Sequence, residues 1–374
     1  MRATFQIICC SALICHALAV EVHKCMKTDL FSYIKEDQPY CRRYESPELI
    51  TNNWKPTLLQ ERYNKLKMAS SSGSNGFYRP RSALARALYE KQSNDRLLQE
   101  FDQNEWYRVN QDRLSPELHK KFVQLHPDEE TKVFLSNSID KSSWVWTQIW
   151  YLLAKAVLKH FWSITDINGW LGRGSMFVLS EAQVRQLLQN SPRKPNDTRL
   201  GALVDVGAGD GEVSRRFANL YSINYATEIS ASMQKTLAKK GYTLLDTDDW
   251  WREQQFDCVC MMNLLDRCSK PVTMLKQAHS AIAPGGVLVI ALVLPYKPYV
   301  EVTADHKPEE RLPISGMTFE EQVTSFVKFM RSLGFELSSW ARAPYLCEGD
   351  FAQAYYWLDD SVYVFEPAAA APDT

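Results

Sequence analysis

Short apolar runs alternate with helical patterns along the chain from Leu200 towards its C-terminal end. Phe256–Met262 is the clearest run, and a nearly continuous apolar run of this length is typical of a strand buried on both faces of a parallel sheet. The pattern predicts strands at 203–206, 224–227, 242–245, 256–262, 287–294, 335–341 and 361–365, and helices at 212–220, 231–240, 271–282 and 319–333. This alternation predicts an α/β fold with a seven-stranded, Rossmann-like sheet covered by helices on both faces.

The segment before the sheet has a helical pattern instead. An aromatic-rich run at 144–162 has helical length, and Ser180 with Gln183 gives a capping-box signature for a helix at 180–188. Residues 168–175, between these two helices, have the composition of a glycine-rich loop. We therefore expect residues 105–199 to form a helical N-terminal part that packs on the core at 200–367.

Residues 1–19 have the features of a secretory signal peptide. Arg2 precedes an apolar run from Phe5 to Val20, and Ala-Leu-Ala at 17–19 is a small-x-small pattern suited to signal peptidase. The run is shorter than the roughly 20 residues that span a bilayer, although an uncleaved anchor stays an alternative. No later stretch of that length lacks charges, so we expect no stable membrane span after cleavage. A glycosylation sequon at Asn196 agrees with a protein of the secretory pathway, retained in the endoplasmic reticulum lumen or secreted.

Residues 20–104 are polar, mixed in charge and weakly periodic, with a Ser/Gly stretch at 70–76 that is typical of a linker. We expect little fixed structure there, and a disordered tail at 368–374. The cysteines left after cleavage are even in number, which permits disulfides in an oxidising lumen. Cys25 with Cys41 is the better candidate pair, because Cys258 and Cys260 share one predicted strand and are expected to be buried thiols.

The charge balance argues against nucleic acid as a partner, and the spacing of cysteines and histidines argues against a metal site. Lysine and arginine number 43 and aspartate and glutamate 44, so no global charge attracts the chain to nucleic acid. The sequence has no Cys-x-x-Cys, no paired histidine spacing and no carboxylate–histidine cluster, so no metal site is predicted.

The first predicted strand runs directly into a glycine-rich turn at 207–211, which is followed by a helical pattern. Glycines in such a turn let the backbone approach a nucleotide and adopt positive φ. A dinucleotide-binding turn has the spacing Gly-x-Gly-x-x-Gly, whereas the third glycine here comes one residue early. Asp210 and Glu212 would repel a pyrophosphate but can face the cationic methionine part of S-adenosylmethionine. The turn therefore favours S-adenosylmethionine over a dinucleotide.

Acidic residues follow the next two predicted strands. Glu228 stands at the end of the second strand, where a carboxylate can accept hydrogen bonds from both ribose hydroxyls of a nucleoside cofactor. The acidic run 246–249 follows the third strand, where adenine would lie. One of its side chains could reach the base amine, or the run is simply a solvated loop.

Asn263 and Asp266 follow the fourth predicted strand, at the carboxyl end where a doubly wound sheet presents its ligands. We expect both side chains to point toward the transferred methyl group. In the alternative, Asn263 caps a helix and Asp266 pairs with Arg267 on the surface.

Several blocks of sequence, in order along the chain, resemble one family. The blocks lie at 134–139, 168 with 171–178, 205 with 207–213, 264–267, 291–296 with 298–301, and 344–350. They resemble the methyltransferase-like protein 9 family, also called DREV, and the resemblance spans about Trp106 to Pro367. It implies a class I S-adenosylmethionine-dependent methyltransferase, with a set of cofactor-binding residues at Asp205, Gly207, Gly209, Glu228, Asn263 and Tyr345. Residues 20–104 depart from the family pattern, which leaves their role open.

The resemblance also implies a reaction. Members of this family methylate the pros (Nδ1) nitrogen of histidine in alternating His-x-His motifs, and many of their substrates bind zinc or are zinc transporters. We hypothesise that Asp266 accepts the N–H of the other ring nitrogen while Tyr299 and Tyr345 wall the substrate slot, so that Asn263, Asp266 and Tyr299 are the predicted catalytic residues. Arg173 is a suitable partner for the cofactor carboxylate, unless its loop is only a flexible turn.

Two other functions are compatible with the sequence. The first is methyl transfer to a small amine or another side chain, which a deep closed pocket would favour over an open groove flanked by acids. The second is a cofactor-binding scaffold without turnover, which the intact turn, Glu228 and Asn263 argue against.

Overall fold

The computed structural model describes residues 82–158, 167, 171–192, 200–300, 303 and 305–368. The predicted leader at 1–19, the linker at 70–76, Cys25 with Cys41, the sequon at Asn196 and the tail beyond residue 368 lie outside these residues. Within the described ranges, no helix is both long and apolar enough to cross a membrane.

One mixed sheet organises the described part of the chain, with the strand order β1-β7-β8-β6-β5-β2-β3-β4. Its strands are β1 (Met176–Phe177), β2 (Leu200–Val206), β3 (Tyr221–Thr227), β4 (Thr243–Leu244), β5 (Phe256–Met262), β6 (Ile282–Val293), β7 (Phe335–Glu348) and β8 (Tyr355–Pro367). Strands β2 to β6 pair in parallel, whereas β8 is antiparallel to β6 and β7, and β1 is antiparallel to β7. The predicted Rossmann-like α/β fold is confirmed. The sheet is eight-stranded rather than seven-stranded, because the two-residue strand β1 is too short to leave a periodic pattern.

Helices cover the sheet and precede it. They are α1 (Ala83–Glu100), α2 (Pro116–Lys121), α3 (Glu129–Ser143), α4 (Val145–Leu158), α5 (Glu181–Leu188), α6 (Arg215–Ala218), α7 (Ala231–Lys239), α8 (Trp250–Glu253), α9 (Pro271–Ala281) and α10 (Phe319–Ser332). Ser180 and Gln183 form the predicted capping box at the start of α5. Helix α6 is shorter than the predicted 212–220, because the glycine-rich turn continues through Ser214 before the helix begins.

Helix α1 corrects one part of the expectation that residues 20–104 have little fixed structure, because residues 83–100 are helical. Asp95 accepts the backbone N–H of Ala354 at 2.8 Å, and the Tyr355 hydroxyl donates to the carbonyl of Leu98 at 3.2 Å. Asp95 also forms an ion pair with Lys91 at 2.6 Å. The two hydrogen bonds attach α1 to the end of the loop between β7 and β8 and to the first residue of β8, and a hydrophobic pattern does not reveal contacts of this polar kind.

Apolar side chains fill both faces of the sheet. Along β5, Cys258 and Cys260 pack into one core, while Val259 and Met261 pack into the other. The two cysteines are buried free thiols whose sulfurs lie 3.6 Å apart, as their shared face predicts. A strand that is apolar on both faces therefore stands at the centre of the sheet, as expected for a doubly wound fold.

Strands β7 and β8, with 14 and 13 residues, are longer than predicted. Charged residues interrupt their apolar pattern, yet Arg342 and Asp359 are buried together as an ion pair at 2.6 Å. Arg342 also donates to the carbonyl of Arg108 at 2.6 Å. Because each buried charge has its partner, the strands continue through residues that a hydrophobic pattern treats as strand ends.

Candidate active site

Three parallel strands end at the same edge of the sheet. Gly207, Glu228 and Asn263 directly follow β2, β3 and β5, respectively. Because β8 runs antiparallel to β6, the pairing of Val293 with Asp360 brings Asp360 to this edge as well. The carboxyl ends of parallel strands are where doubly wound sheets bind ligands, so this edge is the candidate site.

The glycine-rich turn after β2 has the conformation that the sequence predicts. Gly207 and Gly209 have φ values of 71° and 57°, in the region that favours glycine. The N–H of Gly207 donates to the carbonyl of Thr227 at 3.0 Å, and a Cβ at Gly207 would lie 2.6 Å from Leu264 Cδ1. A Cβ at Gly209 would meet nothing within 4 Å. Gly207 is therefore needed for packing, whereas Gly209 borders open space that a bound molecule can enter.

Glu228 is tied to this turn through its carboxylate. Oε2 accepts the backbone N–H of Gly209 and Oε1 accepts that of Ser230, both at 2.8 Å. A carboxylate has about four acceptor positions, so lone pairs remain for the two ribose hydroxyls of a nucleoside. The acid and the turn thus form one rigid unit.

Asp205, at the end of β2, is 2% exposed. Burial raises its pKa to about 7, with the charge of Glu228 adding to the effect and a hydrogen bond from Ser214 opposing it. Its Oδ1 has no hydrogen-bond partner among the described residues. This buried acceptor, the open space at Gly209 and the carboxylate of Glu228 together fit S-adenosylmethionine, which offers amine and hydroxyl donors.

Glu212 does not have the environment expected for a residue that faces the cationic part of the cofactor. It forms ion pairs with Lys240 at 2.6 Å and with Arg215 at 3.8 Å. Burial acts to raise its pKa, but the hydrogen bond and charge of Lys240 outweigh burial and hold the pKa below its usual value. The role predicted for Glu212 is corrected accordingly: its charge is already balanced within the protein.

The acidic run 246–249 is exposed. Asp246 accepts the backbone N–H of Asp248 at 2.8 Å, which is a local turn contact. This geometry supports the solvated-loop interpretation, and a contact with adenine stays a prediction.

Asn263 is 4% exposed and has a φ of 55°. Its backbone N–H donates to the carbonyl of Ala291, and its side-chain Nδ2 donates to Asp360 Oδ2, both at 2.9 Å. Its Oδ1 is buried and has no hydrogen-bond partner in the described part of the chain. The helix-cap alternative is wrong, because the next helix, α9, begins at Pro271 with Lys270 as its N-cap.

Asp266 is fully buried, with 0% exposure, which excludes a surface pair with Arg267. Its charge acts on neighbouring groups and helps to raise the pKa of Asp360. Its backbone carbonyl accepts the N–H of Tyr299 at 2.7 Å. The segment after β6 is therefore joined to the segment that carries Asp266.

The two predicted wall tyrosines have different environments. Tyr299 is partly buried and stacks on the ring of His306, with ring centroids 4.5 Å apart and planes inclined by 26°. Tyr345, on β7, is 2% exposed, and its hydroxyl contacts the sulfur of Met176. Arg267 lies over the Tyr345 ring, with its guanidinium carbon 5.8 Å from the centroid. Both rings are thus held by neighbours, and their contacts with substrate and cofactor stay predictions.

Arg173 is held by protein groups in the loop before β1. Its guanidinium donates to the carbonyl of Gly349 at 2.5 Å and lies 4.5 Å from the centroid of the Tyr151 ring. The flexible-turn alternative does not fit these contacts. A role in binding the cofactor carboxylate stays a prediction, since one part of the guanidinium already has a partner.

Asp360 is a site residue that the sequence analysis missed. It is fully buried, and its Oδ1 accepts the backbone N–H of Ser361 at 2.9 Å. Burial raises its pKa to about 8; the charge of Asp266 adds to this, and hydrogen bonds from Asn263 and from the backbone oppose it. The available signal was two consecutive acids just before a predicted buried strand, which the hydrophobic pattern treats as a loop.

Among the residues that the structure describes, no group of three or more histidine, cysteine, aspartate or glutamate side chains could hold a metal ion. The acids at the sheet edge are engaged with backbone amides and with Asn263, as described above.

Some solved methyltransferase structures are distantly similar to the chain. An S-adenosylmethionine-dependent methyltransferase from Clostridium acetobutylicum is 10% identical, over 50% of this chain and 89% of that chain, with a TM-score of 0.33. A ribosomal protein L11 methylase from Lactobacillus delbrueckii subsp. bulgaricus is 14% identical, over 52% and 82% of the two chains, with a TM-score of 0.31. TM-scores this low carry no inference about function.

The comparison with protein families is decisive. A family model described as DREV methyltransferase matches residues 106–367, which is well over half of the chain. The match includes the glycine turn, Glu228, Asn263 and Asp266, and it ends where β8 ends. The chain therefore belongs to the DREV methyltransferase family and is an S-adenosylmethionine-dependent methyltransferase.

Proposed function

We propose that this methyltransferase modifies the pros (Nδ1) nitrogen of histidine in His-x-His motifs of target proteins. The observation that carries the proposal is the fully buried Asp266, whose charge acts on Asp360, the hydrogen-bond partner of Asn263 at the sheet edge. A buried carboxylate at this edge suits an acceptor that has an N–H and becomes positively charged during the reaction.

Histidine meets this description. A neutral imidazole has a nucleophilic lone pair on one ring nitrogen and an N–H on the other, so the enzyme mainly has to select the tautomer and align the ring. Asp266 accepts the N–H of the tele nitrogen, which leaves the pros lone pair available, and its charge stabilises the imidazolium product. When bound, S-adenosylmethionine supplies a methyl group on a positively charged sulfur.

The tyrosines complete the slot for the flat ring. Tyr299 is oriented by its stacking on His306, and its backbone is joined to that of Asp266. Tyr345 is oriented by Met176 and Arg267. Aromatic walls of this kind hold an imidazole by stacking and keep water away from the reacting nitrogen.

The proposed partners are proteins with alternating His-x-His motifs, including zinc-binding proteins and zinc transporters. The resemblance of the sequence blocks to the family supports this choice. The leader at 1–19 and the sequon at Asn196 support a location in the secretory pathway, in the endoplasmic reticulum lumen or outside the cell. Histidine-rich loops of transporters that face the lumen would then be within reach.

A second candidate acceptor is a small amine. The charge effect of Asp266 on Asp360 favours it, because two buried acids that act on each other also suit a protonated ammonium group. A small amine would have to lose its proton before reaction, whereas a neutral imidazole is ready to react. Histidine is therefore the preferred acceptor.

The test is transfer of labelled methyl from S-adenosylmethionine to the peptide Ala-His-Ala-His, with its His-to-Ala variants and a set of small amines as alternative acceptors. Asp205→Asn, at the end of β2, and Gly209→Ala, in the glycine-rich turn, serve as controls in which cofactor binding is impaired. We expect label on the intact peptide, located on the pros nitrogen after hydrolysis and chromatography. Label on the tele nitrogen, or only on the amines, would reject the proposal.

A further inference from the structure

Asp360 and Asn263 form a buried pair that spans two strands at the edge of the sheet. Asn263 Nδ2 lies 2.9 Å from Asp360 Oδ2, and the pair joins the end of β5 to β8 across β6. The second oxygen of Asp360 accepts the N–H of Ser361 at 2.9 Å. When Asp360 is ionised, both of its oxygens are thus engaged as acceptors, and the carboxyl group is fixed by the backbone of its own strand.

This arrangement determines which end of the Asn263 amide faces Asp360. An asparagine side chain has a donor end and an acceptor end of nearly equal size, so its orientation depends on its hydrogen-bond partners. Asp360 Oδ2 accepts a hydrogen bond from the donor end of Asn263, the Nδ2 amide group. The acceptor end, Oδ1, is then left buried, with no hydrogen-bond partner among the described residues, at the edge where ligands bind.

A buried acceptor without a partner costs free energy, roughly 1–3 kcal/mol, unless a bound molecule supplies a donor. We infer that Asp360 is a positioning residue, which holds the Asn263 amide so that its Oδ1 accepts an N–H from a molecule bound in the site. The inference deepens the proposed function, because it rests on the same site. The N–H belongs either to the amine groups of the cofactor or to the acceptor imidazole, and the experiment separates these two sources.

Exchange of the two side chains tests the inference. In Asp360→Asn, the oxygen of the new amide still accepts the Ser361 N–H, and its NH2 group therefore faces residue 263. The Asn263 amide must then rotate so that its oxygen accepts from residue 360. Its NH2 group, a donor, then faces the site in place of Oδ1. In the double variant Asn263→Asp with Asp360→Asn, the donor lies on strand β8 and the acceptor on β5. An acceptor oxygen of residue 263 then faces the site again.

Two measurements are made on the full chain at pH 9, where Asp360, whose pKa burial raises to about 8, is ionised. Calorimetry with S-adenosylhomocysteine reports contact with the cofactor, and KM for the Ala-His-Ala-His peptide reports contact with the acceptor. Asp360→Asn alone and Asn263→Asp alone should each weaken either S-adenosylhomocysteine binding or peptide binding by about tenfold, as expected for one lost hydrogen bond. The affected affinity should recover clearly in the double variant. Ser339→Ala is the matched control: it removes another buried hydrogen bond of the sheet, from Ser339 to the carbonyl of Leu187 at 2.7 Å, and should change neither measurement.

A purely structural role predicts that the double variant is at least as impaired as either single variant, and this result would overturn the inference. Unchanged binding in Asp360→Asn would overturn it as well. If Asp360→Asn does not fold, the double variant must fold and bind, because it restores a donor–acceptor pair. Lack of methyl transfer to the peptide by the unmodified enzyme rejects the proposed acceptor. The inference then depends on the cofactor alone, and an unchanged affinity for S-adenosylhomocysteine in Asp360→Asn would overturn it.

Discussion

Glu228 accepts the backbone N–H of Gly209 at 2.8 Å, so the acid after β3 and the turn after β2 are a single structure. The same carboxylate accepts the N–H of Ser230 at the start of α7. A nucleoside bound to Glu228 would therefore lie beside the turn at Gly209, where a Cβ would meet no protein atom within 4 Å. This coupling makes the cofactor site sensitive to small changes in one side chain.

Glu228→Gln should weaken cofactor binding by about 10- to 100-fold, because a glutamine amide places a donor against one of the two N–H groups and loses the charge. Calorimetry with S-adenosylhomocysteine measures the change. Glu212→Gln is the control, since Glu212 pairs with Lys240, and it should change binding by less than about threefold. Equal losses in the two variants would mean that Glu228 has no direct role in binding.

Gly207→Ala should mainly lower the stability of the protein, whereas Gly209→Ala should mainly weaken cofactor binding. A Cβ at Gly207 would lie 2.6 Å from Leu264 Cδ1, so this variant should lower Tm through overpacking as well as through its positive φ. A Cβ at Gly209 meets no protein atom, so its larger effect should be loss of S-adenosylhomocysteine binding. Thermal unfolding with and without S-adenosylhomocysteine measures both effects. A larger Tm loss in Gly209→Ala than in Gly207→Ala would contradict this assignment.

Most of the fold could be predicted from the sequence, because buried parallel strands such as Phe256–Met262 carry their own apolar signal. The positive φ of the turn glycines and the position of Glu228 directly after β3 were also predictable, whereas their contacts with the cofactor stay predictions. Asp360 was not, because its place in the site depends on the antiparallel pairing of β8 with β6. A local pattern contains no information about which strand lies beside which.

The same limit explains why the hydrophobic pattern did not predict helix α1. Its attachment combines the buried Leu98 with Asp95, which accepts the N–H of Ala354, a residue distant in sequence. Polar contacts of this kind are specific to a pair of positions and leave no periodicity. The helix was therefore hidden in a segment that is polar by composition.

Asp95→Ala should detach part of α1 from the loop between β7 and β8. The variant loses a hydrogen bond to Ala354 and an ion pair with Lys91, with an expected cost of about 1–3 kcal/mol. Hydrogen exchange should become faster at 349–355, and Tm should fall. Glu90→Ala, an exposed change on the same helix, should have neither effect. Unchanged exchange at 349–355 in Asp95→Ala would show that α1 does not support this loop.

The stability of the ligand-free protein should fall as pH rises from about 4 to about 8. Burial raises the pKa of Asp205 to about 7 and that of Asp360 to about 8, from an ordinary value of 3.8. In this window the folded state holds protons that the unfolded chain has lost, so the free energy of unfolding decreases with pH. Urea unfolding at pH 5 to 9 measures the slope.

Asp360→Asn removes one of these two ionisable groups. The free energy of unfolding should therefore decrease less between pH 7 and 8 in this variant than in the unmodified protein. Asp305→Asn, an exposed change, should leave the slope as it is. A slope in Asp360→Asn that equals that of the unmodified protein would show that Asp360 does not titrate in this range.

Asp266 should be needed for turnover but not for cofactor binding. If it accepts the tele N–H of the acceptor histidine, Asp266→Ala should lower kcat/KM for the peptide by about 100-fold or more, because it removes both the tautomer selection and the charge beside the imidazolium product. Asp266→Asn retains an acceptor oxygen and should lose less than the alanine variant. The dissociation constant for S-adenosylhomocysteine should change by less than about threefold in both variants, since the turn and Glu228 are untouched. Parallel losses of turnover and of cofactor affinity would instead make Asp266 a structural residue, whose buried carboxyl group supports the segment that leads to Tyr299.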